Sequence, residues 1–372
     1  MNLAWSFMAW AKPDYSKGKV DDAGEALSRA ESANSLGLVE YSNALSVLNN
    51  WRSAHSYPLQ VLKMTLLTRA RNVSSGAIIA QRLKRLSSIT LKLSAERNQH
   101  MKLSQMQDIG GCRAVMPTVR EVRALEQLIE KSVEKNPSRR PERIKKYDYI
   151  ANPKKDGYRS IHFVFKYRTI SKHREVYNGL RIEVQLRSRL QHAWATAVET
   201  VSTFTGQALK SNIGTDEWKR FFALMGSVIA LRERQPLVPN TPSDKGLLIA
   251  ELTTLVRRLR VEEVLAGWGY AVRQITNDVQ NASAYLLVLD TKAKTIRISG
   301  FRKTQLAKAS DEYLNTERTT ADNLDIQAVL VSVESVAALK SAFPNYYLDT
   351  TAFLKELKRA VGEQPKTKEQ AA

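Results

Sequence analysis

The residues best placed to do chemistry lie on a predicted strand at 180–187, where aliphatic and polar side chains alternate. A period of two sends the aliphatic residues to one face of the strand and the polar residues to the other. A sheet buried on both sides would be apolar on both faces, so the polar row needs another explanation. A carboxylate flanked by two guanidiniums suits a metal-bound polyphosphate. The polar row consists of Arg181, Glu183, Gln185 and Arg187.

A second carboxylate, Asp108, stands at the entrance to another predicted strand, at 107–116, in which two glycines allow close backbone approach. Magnesium bound to nucleotide phosphates uses one or two carboxylates, and nearby cations would offset the charge of a phosphoryl-type transfer. Ordinary surface ion pairs would look the same in the sequence, and spacing alone favours neither interpretation. The candidate cations are Arg82, Lys84, Arg113 and Arg187.

Tyr158 follows a glycine inside a basic loop. A tyrosine in this position could stack on a nucleobase while neighbouring cations hold phosphate. The alternative is a core or hairpin tyrosine, which is the commoner role of a tyrosine. The neighbouring cations are Lys154, Lys155 and Arg159.

Several classes of protein are excluded or disfavoured. Cys112 is the single cysteine, which excludes an internal disulfide and a cysteine-rich zinc site. His162 and His192 have no metal-ligand spacing, and neither a Walker loop nor a GxGxxG motif occurs. The apolar run at 1–11 is too short to span a membrane. We therefore expect a cytoplasmic protein with no membrane partner.

The charge is distributed unevenly along the chain. Of the net charge of +20, residues 1–240 carry +18 and residues 241–372 carry +2. This asymmetry indicates that the first part binds a polyanion, with nucleic acid or nucleotide favoured over lipid. A surface tuned for solubility is the alternative.

The pattern of elements predicts an α/β (α+β) protein of two domains. Residues 20–106 are predicted to be helical, with a break at Pro58, and 136–143 to be a polar loop. Three prolines mark a linker. The expected divisions are a first domain at 1–234, a linker at 235–244, an α+β domain at 245–362 and a disordered tail at 363–372. Further predicted helices are 119–134, 189–203, 217–232, 247–265, 306–318 and 350–361, and further predicted strands are 161–167, 270–275, 285–290, 295–301 and 327–333.

Three stretches resemble the synthetase domain of the RelA/SpoT family. They are an Asp-Ile-x-Gly-x-Arg strand at 108–113, a loop with Asn-Pro and Gly-Tyr-x-Ser-x-His ending at His162, and a Glu-x-Gln-x-Arg strand at 183–187. A segment beginning at Arg82 is similar to the part of the family that holds the phosphates of ATP. The resemblance covers roughly 15–235, and four motifs in order make a specific signal.

This resemblance implies a mixed β-sheet domain, nucleotidyltransferase-like and wrapped by helices. It implies transfer of the β,γ-pyrophosphate of ATP to a ribose 3′ hydroxyl. Asp108 and Glu183 would be the Mg²⁺ ligands, with Glu183 helping to deprotonate the attacking hydroxyl, and Tyr158 would stack on the acceptor base. The residues that would surround ATP are Arg82, Lys84, Ser88, Lys92 and Arg113.

The family uses two kinds of acceptor. Alarmone synthetases use GDP or GTP, and toxic small synthetases modify the 3′ CCA adenosine of tRNA. The segments 15–18 and 49–59 resemble the toxic branch, and the charge of +18 suits a tRNA acceptor stem. Transfer to uncharged tRNA is the leading hypothesis; synthesis of (p)ppGpp and a catalytically idle RNA-binding sensor are the alternatives. The candidate acceptor contacts are Tyr158, Arg143, Lys145, Lys146, Lys154, Lys155, Arg159, His162, Gln185 and Arg187.

The whole chain resembles the fused toxin–antitoxin CapRel proteins, in which a pseudo-zinc-finger domain inhibits the synthetase until a phage capsid protein binds. The resemblance implies a toxin that blocks translation as an antiviral defence, and we expect it to be a monomer. The inhibitory motif of that group is Tyr-x-x-Tyr, and the nearest match runs from Phe343 to Tyr346, followed by Tyr347. Phenylalanine preserves ring packing but not a hydroxyl hydrogen bond. Core packing of these three aromatics is the alternative.

Overall fold

A computed structural model gives the arrangement of most of the chain. It describes residues 10–29, 37–95, 101–134, 141–204, 216–259, 261–262, 265, 283–290, 295–320, 326–332 and 351–362. The predicted strand at 270–275, the aromatic residues Phe343, Tyr346 and Tyr347, and the tail at 363–372 lie outside these residues.

A five-stranded mixed sheet is the frame of the first part of the chain, as predicted. Its strand order is β1-β2-β5-β4-β3, and β2 and β5 are parallel while the other neighbours are antiparallel. The parallel pair places Gly111 opposite Glu183, which brings the two candidate motifs side by side. The strands are β1 Ile78–Leu83, β2 Gly110–Met116, β3 Glu142–Asp148, β4 Ile161–Lys166 and β5 Arg181–Ser188.

The two faces of this sheet differ as the alternation predicts. The aliphatic residues of β5 are buried in a core that the first five helices cover, and that core includes the predicted residues Ile182, Val184 and Leu186. Gly110 permits the close packing of β2 beside this core, because a Cβ atom there would lie 2.7 Å from the Cδ1 atom of Ile182. The polar row of β5 faces the opposite side, where Arg181, Glu183 and Gln185 are partly covered and Arg187 is buried.

The two edge strands correct the prediction. Residues 78–83, which were predicted as helix, form β1, and residues 142–148, which include part of a predicted loop, form β3. Residues 78–83 contain one basic residue and residues 142–148 contain three, and neither segment shows a clear alternation, because an edge strand needs no apolar face on its open side. The predicted helix break at Pro58 is also displaced. The helices meet at His55, and the proline lies in the first turn of the next helix, where its missing N–H costs no hydrogen bond.

Helices cover the sheet and extend beyond it. The predictions for 119–134, 189–203 and 217–232 are confirmed to within a residue. None of the helices among the described residues is long and apolar enough to cross a membrane. The helices are α1 Lys17–Arg29, α2 Leu38–Ala54, α3 Ser56–Val73, α4 Leu86–Ser94, α5 Val119–Glu134, α6 Arg189–Phe204, α7 Asp216–Glu233, α8 Lys245–Arg258, α9 Leu306–Thr319 and α10 Thr351–Gly362.

The later part of the chain contains a three-stranded antiparallel sheet of order β7-β6-β8, against which α9 packs. The predicted hairpin and third strand are confirmed. A second apolar cluster joins α6 and α7 to α8 and α10, so helices on both sides of the predicted linker share one core. These strands are β6 Ala284–Asp290, β7 Thr295–Phe301 and β8 Ile326–Ser332.

The predicted linker packs against the first part of the chain. Val238 is buried, and its backbone N–H donates to the Ser227 hydroxyl oxygen at 2.9 Å. The carbonyl oxygen of Pro236 accepts a hydrogen bond from the buried guanidinium of Arg159. The segment is therefore fixed at several points along its length.

Candidate active site

A cavity of about 220 Å³ opens on the polar face of the five-stranded sheet. The two predicted carboxylates both line it, together with three arginines, although the chain supplies them from separate motifs. The side of the cavity away from the sheet is formed by α6, through Ala195. The cavity is lined by Ala80, Gln81, Arg82, Lys84, Asp108, Gly111, Cys112, Arg113, Tyr158, Glu183, Gln185, Arg187 and Ala195.

Asp108 lies two residues before the start of β2 and forms ion pairs with two lysines. The Nζ atoms of Lys84 and Lys92 lie 3.1 Å and 2.9 Å from its two carboxylate oxygens. Burial opposes ionisation of this carboxyl, but the two ammonium groups outweigh that effect and lower its pKa. Burial also lowers the pKa of Lys84, with Asp108 opposing the shift. The carboxylate is therefore anionic at neutral pH.

Two guanidiniums in the cavity lack a carboxylate partner among the described residues. The Nε–H groups of Arg113 and Arg187 are buried and donate to no acceptor among the described residues. Burial, together with the charges of Arg187 and Arg82, lowers the pKa of Arg113 well below its ordinary value. Uncompensated buried charge is costly. A bound polyanion would supply the missing negative charge and the missing acceptors.

Glu183 lies at the centre of the polar row of β5. Its Oε1 atom lies 2.9 Å from Nδ1 of His162, and its Oε2 atom accepts a hydrogen bond of 2.7 Å from Gln185. Burial raises the pKa of this carboxyl, but the contacts with His162 and Gln185 outweigh it and lower the pKa overall. The carboxylate is thus anionic and has a defined orientation.

Tyr158 reaches the cavity from the loop between β3 and β4. Gly157, at a φ of 96°, turns the chain into the tyrosine, whose backbone N–H donates to Asp156 at 2.8 Å. The phenol oxygen contacts His162 Nε2 at 2.7 Å and accepts from Arg187 at 2.6 Å. Burial raises the pKa of this phenol, and Arg187 opposes the shift.

Cations already lie over the aromatic ring of Tyr158. The Nζ atom of Lys154 is 5.1 Å from the ring centroid, and the guanidinium carbon of Arg187 is 5.0 Å from it. The same Nζ atom lies 4.6 Å from the ring centroid of Tyr149, and the rings of Tyr149 and Tyr147 stack with their centroids 5.8 Å apart. The loop therefore presents a tyrosine cluster, formed by Tyr147, Tyr149 and Tyr158, with the ammonium group of Lys154 over two of its rings.

Some predicted contact residues lie away from the cavity. Arg159 is buried and donates to the carbonyl oxygens of Ile150 and Pro236, so its role in the structure is to anchor the loop rather than to contact an acceptor. Arg143 and Lys146 form ion pairs with Glu130 at 3.0 Å and 2.9 Å on the edge strand. The remaining predicted residues outside the cavity lining are the exposed Lys145, Lys154 and Lys155, Ser88 on α4, and Lys92 and His162, which contact the lining carboxylates Asp108 and Glu183.

Two residues in or beside the cavity were not predicted. Gln81 lines the cavity and donates to Gln60 at 3.0 Å, while its own side-chain oxygen is buried without a partner. His192 on α6 lies 3.2 Å from the guanidinium of Arg113. The sequence gives no local signal for either contact, since each depends on how distant elements cross.

A contact from the later part of the chain reaches the corner between β1 and α4. Arg52 is buried and donates to the carbonyl oxygen of Lys84 at 2.6 Å and to the hydroxyl of Tyr313 on α9. Burial raises the pKa of Glu317, also on α9, while Arg52 and a hydrogen bond from the N–H of Leu86 oppose the shift. Lys84, whose ammonium group pairs with Asp108, is therefore connected to α9 through Arg52.

The carboxylates of Asp108 and Glu183 are the residues that could hold Mg²⁺ beside a bound polyphosphate. Both line one cavity, and each carboxylate oxygen retains a lone-pair position beyond its present hydrogen bond. Among the described residues, no group of three or more His, Cys, Asp or Glu side chains could hold a metal ion. Two carboxylates with phosphate oxygens and water match the usual environment of Mg²⁺.

One region of the chain matches a known protein family. Residues 81–205 match the region found in RelA/SpoT proteins, and no curated protein matches the chain. Among solved structures, a GTP pyrophosphokinase family protein from Streptococcus pneumoniae is 22% identical, over 48% of this chain and 85% of that chain, with a TM-score of 0.37. Small alarmone synthetase 2 from Bacillus subtilis is 18% identical, over 52% of this chain and 95% of that chain, with a TM-score of 0.40.

The matched region and the cavity coincide. All the residues that line the cavity except Ala80 fall between 81 and 205, including both carboxylates and all three arginines. The predicted resemblance to the RelA/SpoT family is thereby confirmed for this part of the chain. The cavity therefore lies within the part of the chain that matches the region found in RelA/SpoT proteins.

Proposed function

We propose that the chain is a pyrophosphokinase that transfers the β,γ-pyrophosphate of ATP to a ribose 3′ hydroxyl. The observation that carries this proposal is the cavity of the RelA/SpoT region, in which Asp108 and Glu183 face the uncompensated guanidiniums of Arg113 and Arg187. A triphosphate would supply the negative charge that this cluster lacks.

Each group then has a distinct task. Glu183 accepts the proton of the 3′ hydroxyl, the oxygen attacks the β-phosphorus, and the bond to the α–β bridging oxygen breaks to release AMP. Arg82, Arg113 and Arg187 hold the phosphates and offset the charge that accumulates during transfer. Asp108 and Glu183 would hold Mg²⁺, whose charge would offset part of that of the phosphates.

The proposed acceptor is the 3′ end of uncharged tRNA. The net charge of +18 on residues 1–240 supports it, because it exceeds what a single nucleotide requires. The tyrosine cluster with Lys154 offers rings and a cation beside the cavity, which suits a single-stranded 3′ end. The second candidate acceptor is GDP or GTP, which would give (p)ppGpp.

Purified protein and γ-labelled ATP test both acceptors directly. Label should move to deacylated tRNA and not to tRNA whose 3′ end has been oxidised with periodate. Label on GDP or GTP alone would refute the tRNA acceptor, and label on no acceptor would favour an RNA-binding protein without this activity. Glu183→Gln should lower the rate of transfer at least about 100-fold, whereas the matched variant Glu175→Gln, at an exposed position on another part of the domain, should leave it unchanged.

We further propose that the later part of the chain restrains the synthetase, as in a fused toxin–antitoxin protein that a phage capsid protein releases. The contact of Tyr313 and Glu317 with the β1–α4 corner supports this. The same corner contains Lys84, which forms an ion pair with Asp108 in the cavity. The pseudo-zinc-finger character of this part and the role of Phe343, Tyr346 and Tyr347 belong to the same proposal. Addition of the capsid protein to the full chain should raise the rate of label transfer; an unchanged rate with a panel of capsid proteins would count against that trigger.

A further inference from the structure

Four side chains form a continuous hydrogen-bonded chain across the polar face of the sheet. It runs from Arg187 to the phenol of Tyr158 at 2.6 Å, on to Nε2 of His162 at 2.7 Å, and from Nδ1 of His162 to Glu183 at 2.9 Å. The histidine side chain is largely covered, with 12% of its surface exposed, and that of Glu183 is 17% exposed. The chain therefore lies mostly out of competition with bulk water.

The chemistry of the two ends sets the direction of the two terminal bonds. A guanidinium only donates and an ionised carboxylate only accepts. Nδ1 of His162 must therefore carry the hydrogen that Glu183 accepts. In the tautomer whose only N–H is at Nδ1, the bare Nε2 accepts the hydroxyl hydrogen of Tyr158. The phenol oxygen in turn accepts from Arg187. A single tautomer of His162 satisfies all three bonds.

The histidine joins two parts of the site that are otherwise separate. Tyr158 belongs to the loop before β4, whereas Glu183 belongs to β5, and the pairing of β4 with β5 places His162 beside Gln185. The ring of His162 is also edge-on to those of Tyr149 and Tyr158. Movement of the tyrosine is thus coupled, through one imidazole, to the carboxylate that faces the cavity.

We propose that His162 is a positioning residue that links the aromatic part of the acceptor site to the carboxylate of Glu183. The inference rests on the proposed transferase function and assigns one task to each nitrogen of the ring. Nδ1 orients the carboxylate toward the attacking hydroxyl, and Nε2 holds the phenol against which the acceptor binds. Loss of the whole side chain should lower kcat/KM about 10- to 100-fold, as is usual when a group that orients a reacting residue is removed.

Two conservative substitutions separate the two tasks. The amide of asparagine places a donor near the position of Nδ1, whereas the amide of glutamine places an acceptor near the position of Nε2. His162→Asn should therefore keep kcat close to the wild-type value and raise KM for the acceptor. His162→Gln should keep KM and lower kcat, and His162→Ala should change both. His173→Ala, at an exposed histidine, is the matched control and should change neither.

The outcomes are distinguishable. Identical effects of asparagine, glutamine and alanine on both constants, or a lower melting temperature with unchanged kinetics, would assign His162 a structural role and overturn the proposal. Nitrogen NMR of ¹⁵N-histidine-labelled wild-type protein, with His162→Ala used to assign the signal, should show hydrogen on Nδ1 and a bare Nε2. Hydrogen on Nε2 would overturn the direction of the chain. If the wild-type protein labels no acceptor, the proposed function fails, whereas the NMR result still decides the hydrogen-bonded chain.

Discussion

Replacement of Tyr313 by phenylalanine isolates the contact between α9 and the β1–α4 corner. The hydroxyl of Tyr313 accepts from Arg52 and also interacts with Glu317. Phenylalanine removes these hydrogen bonds but keeps the ring, over which the Arg52 guanidinium carbon lies at 4.9 Å. The substitution therefore weakens the contact without removing its packing.

The size of the effect follows from the charge and burial of the partners. A hydrogen bond to a charged group contributes about 1.5–3 kcal/mol, and each 1.4 kcal/mol is a factor of about ten in an equilibrium constant. If the contact restrains the synthetase, the released population of the Tyr313→Phe protein should rise about 10- to 100-fold. The rate of label transfer should rise by the same factor until most molecules are released.

Initial rates of transfer from γ-labelled ATP, measured on the full chain, test this prediction. Tyr177→Phe is the matched control, because it also removes a hydroxyl hydrogen bond of a buried tyrosine, 3.2 Å from the carbonyl oxygen of Trp10, away from the β1–α4 corner. The control should lose stability without any gain in rate. A Tyr313→Phe protein whose rate equals that of the wild type, although its thermal stability is reduced, would refute the restraint.

Three further substitutions test other parts of the structure. Glu183→Gln should lower kcat by a factor of about 10² to 10⁴, as expected for loss of a general base, with an unchanged circular dichroism spectrum; a smaller loss would point to another base. His55 is buried, and burial lowers its pKa to about 4, so the unfolded chain binds a proton below pH 6.5 that the native state does not. The wild type should therefore lose about 2 kcal/mol more stability than His55→Gln between pH 7 and pH 5 in urea titrations, and parallel losses would contradict this. Gly157→Ala should destabilise the protein by about 1–3 kcal/mol, because φ is positive and a Cβ atom would lie 2.8 Å from the carbonyl oxygen of Phe222; an unchanged urea midpoint would refute the strain.

The face of β5 could be predicted from the sequence because one side of the strand packs on an apolar core. Aliphatic residues such as Ile182 alternate with polar residues such as Glu183, and this pattern predicts which side of the strand is buried. The helix α5 was predicted to the residue for the same reason, since its apolar stripe faces the sheet. For these two elements, the spacing of apolar residues in the sequence predicts the face that is buried in the structure.

The parts that could not be predicted lack such a period. The edge strands β1 and β3 have one neighbour each, so their sequences need not show the alternation of a strand that packs within the sheet. Contacts such as that of Arg52 with Tyr313 join residues more than 250 positions apart, and no local pattern records them. Arg159 belongs to the basic loop by sequence, but its side chain turns inward to two carbonyl groups.

The order of the elements along the chain has a consequence for synthesis on the ribosome. Asp108 and Glu183 meet only when β5 joins β2, so the cavity cannot form before that strand has left the ribosome. The helix that contacts the β1–α4 corner is translated later still. Between Glu233 and Thr319, translation at about 5–20 residues per second takes roughly 4–17 s. Under the proposed restraint, a ribosome that stalls in this interval would expose a completed synthetase region that α9 does not yet hold.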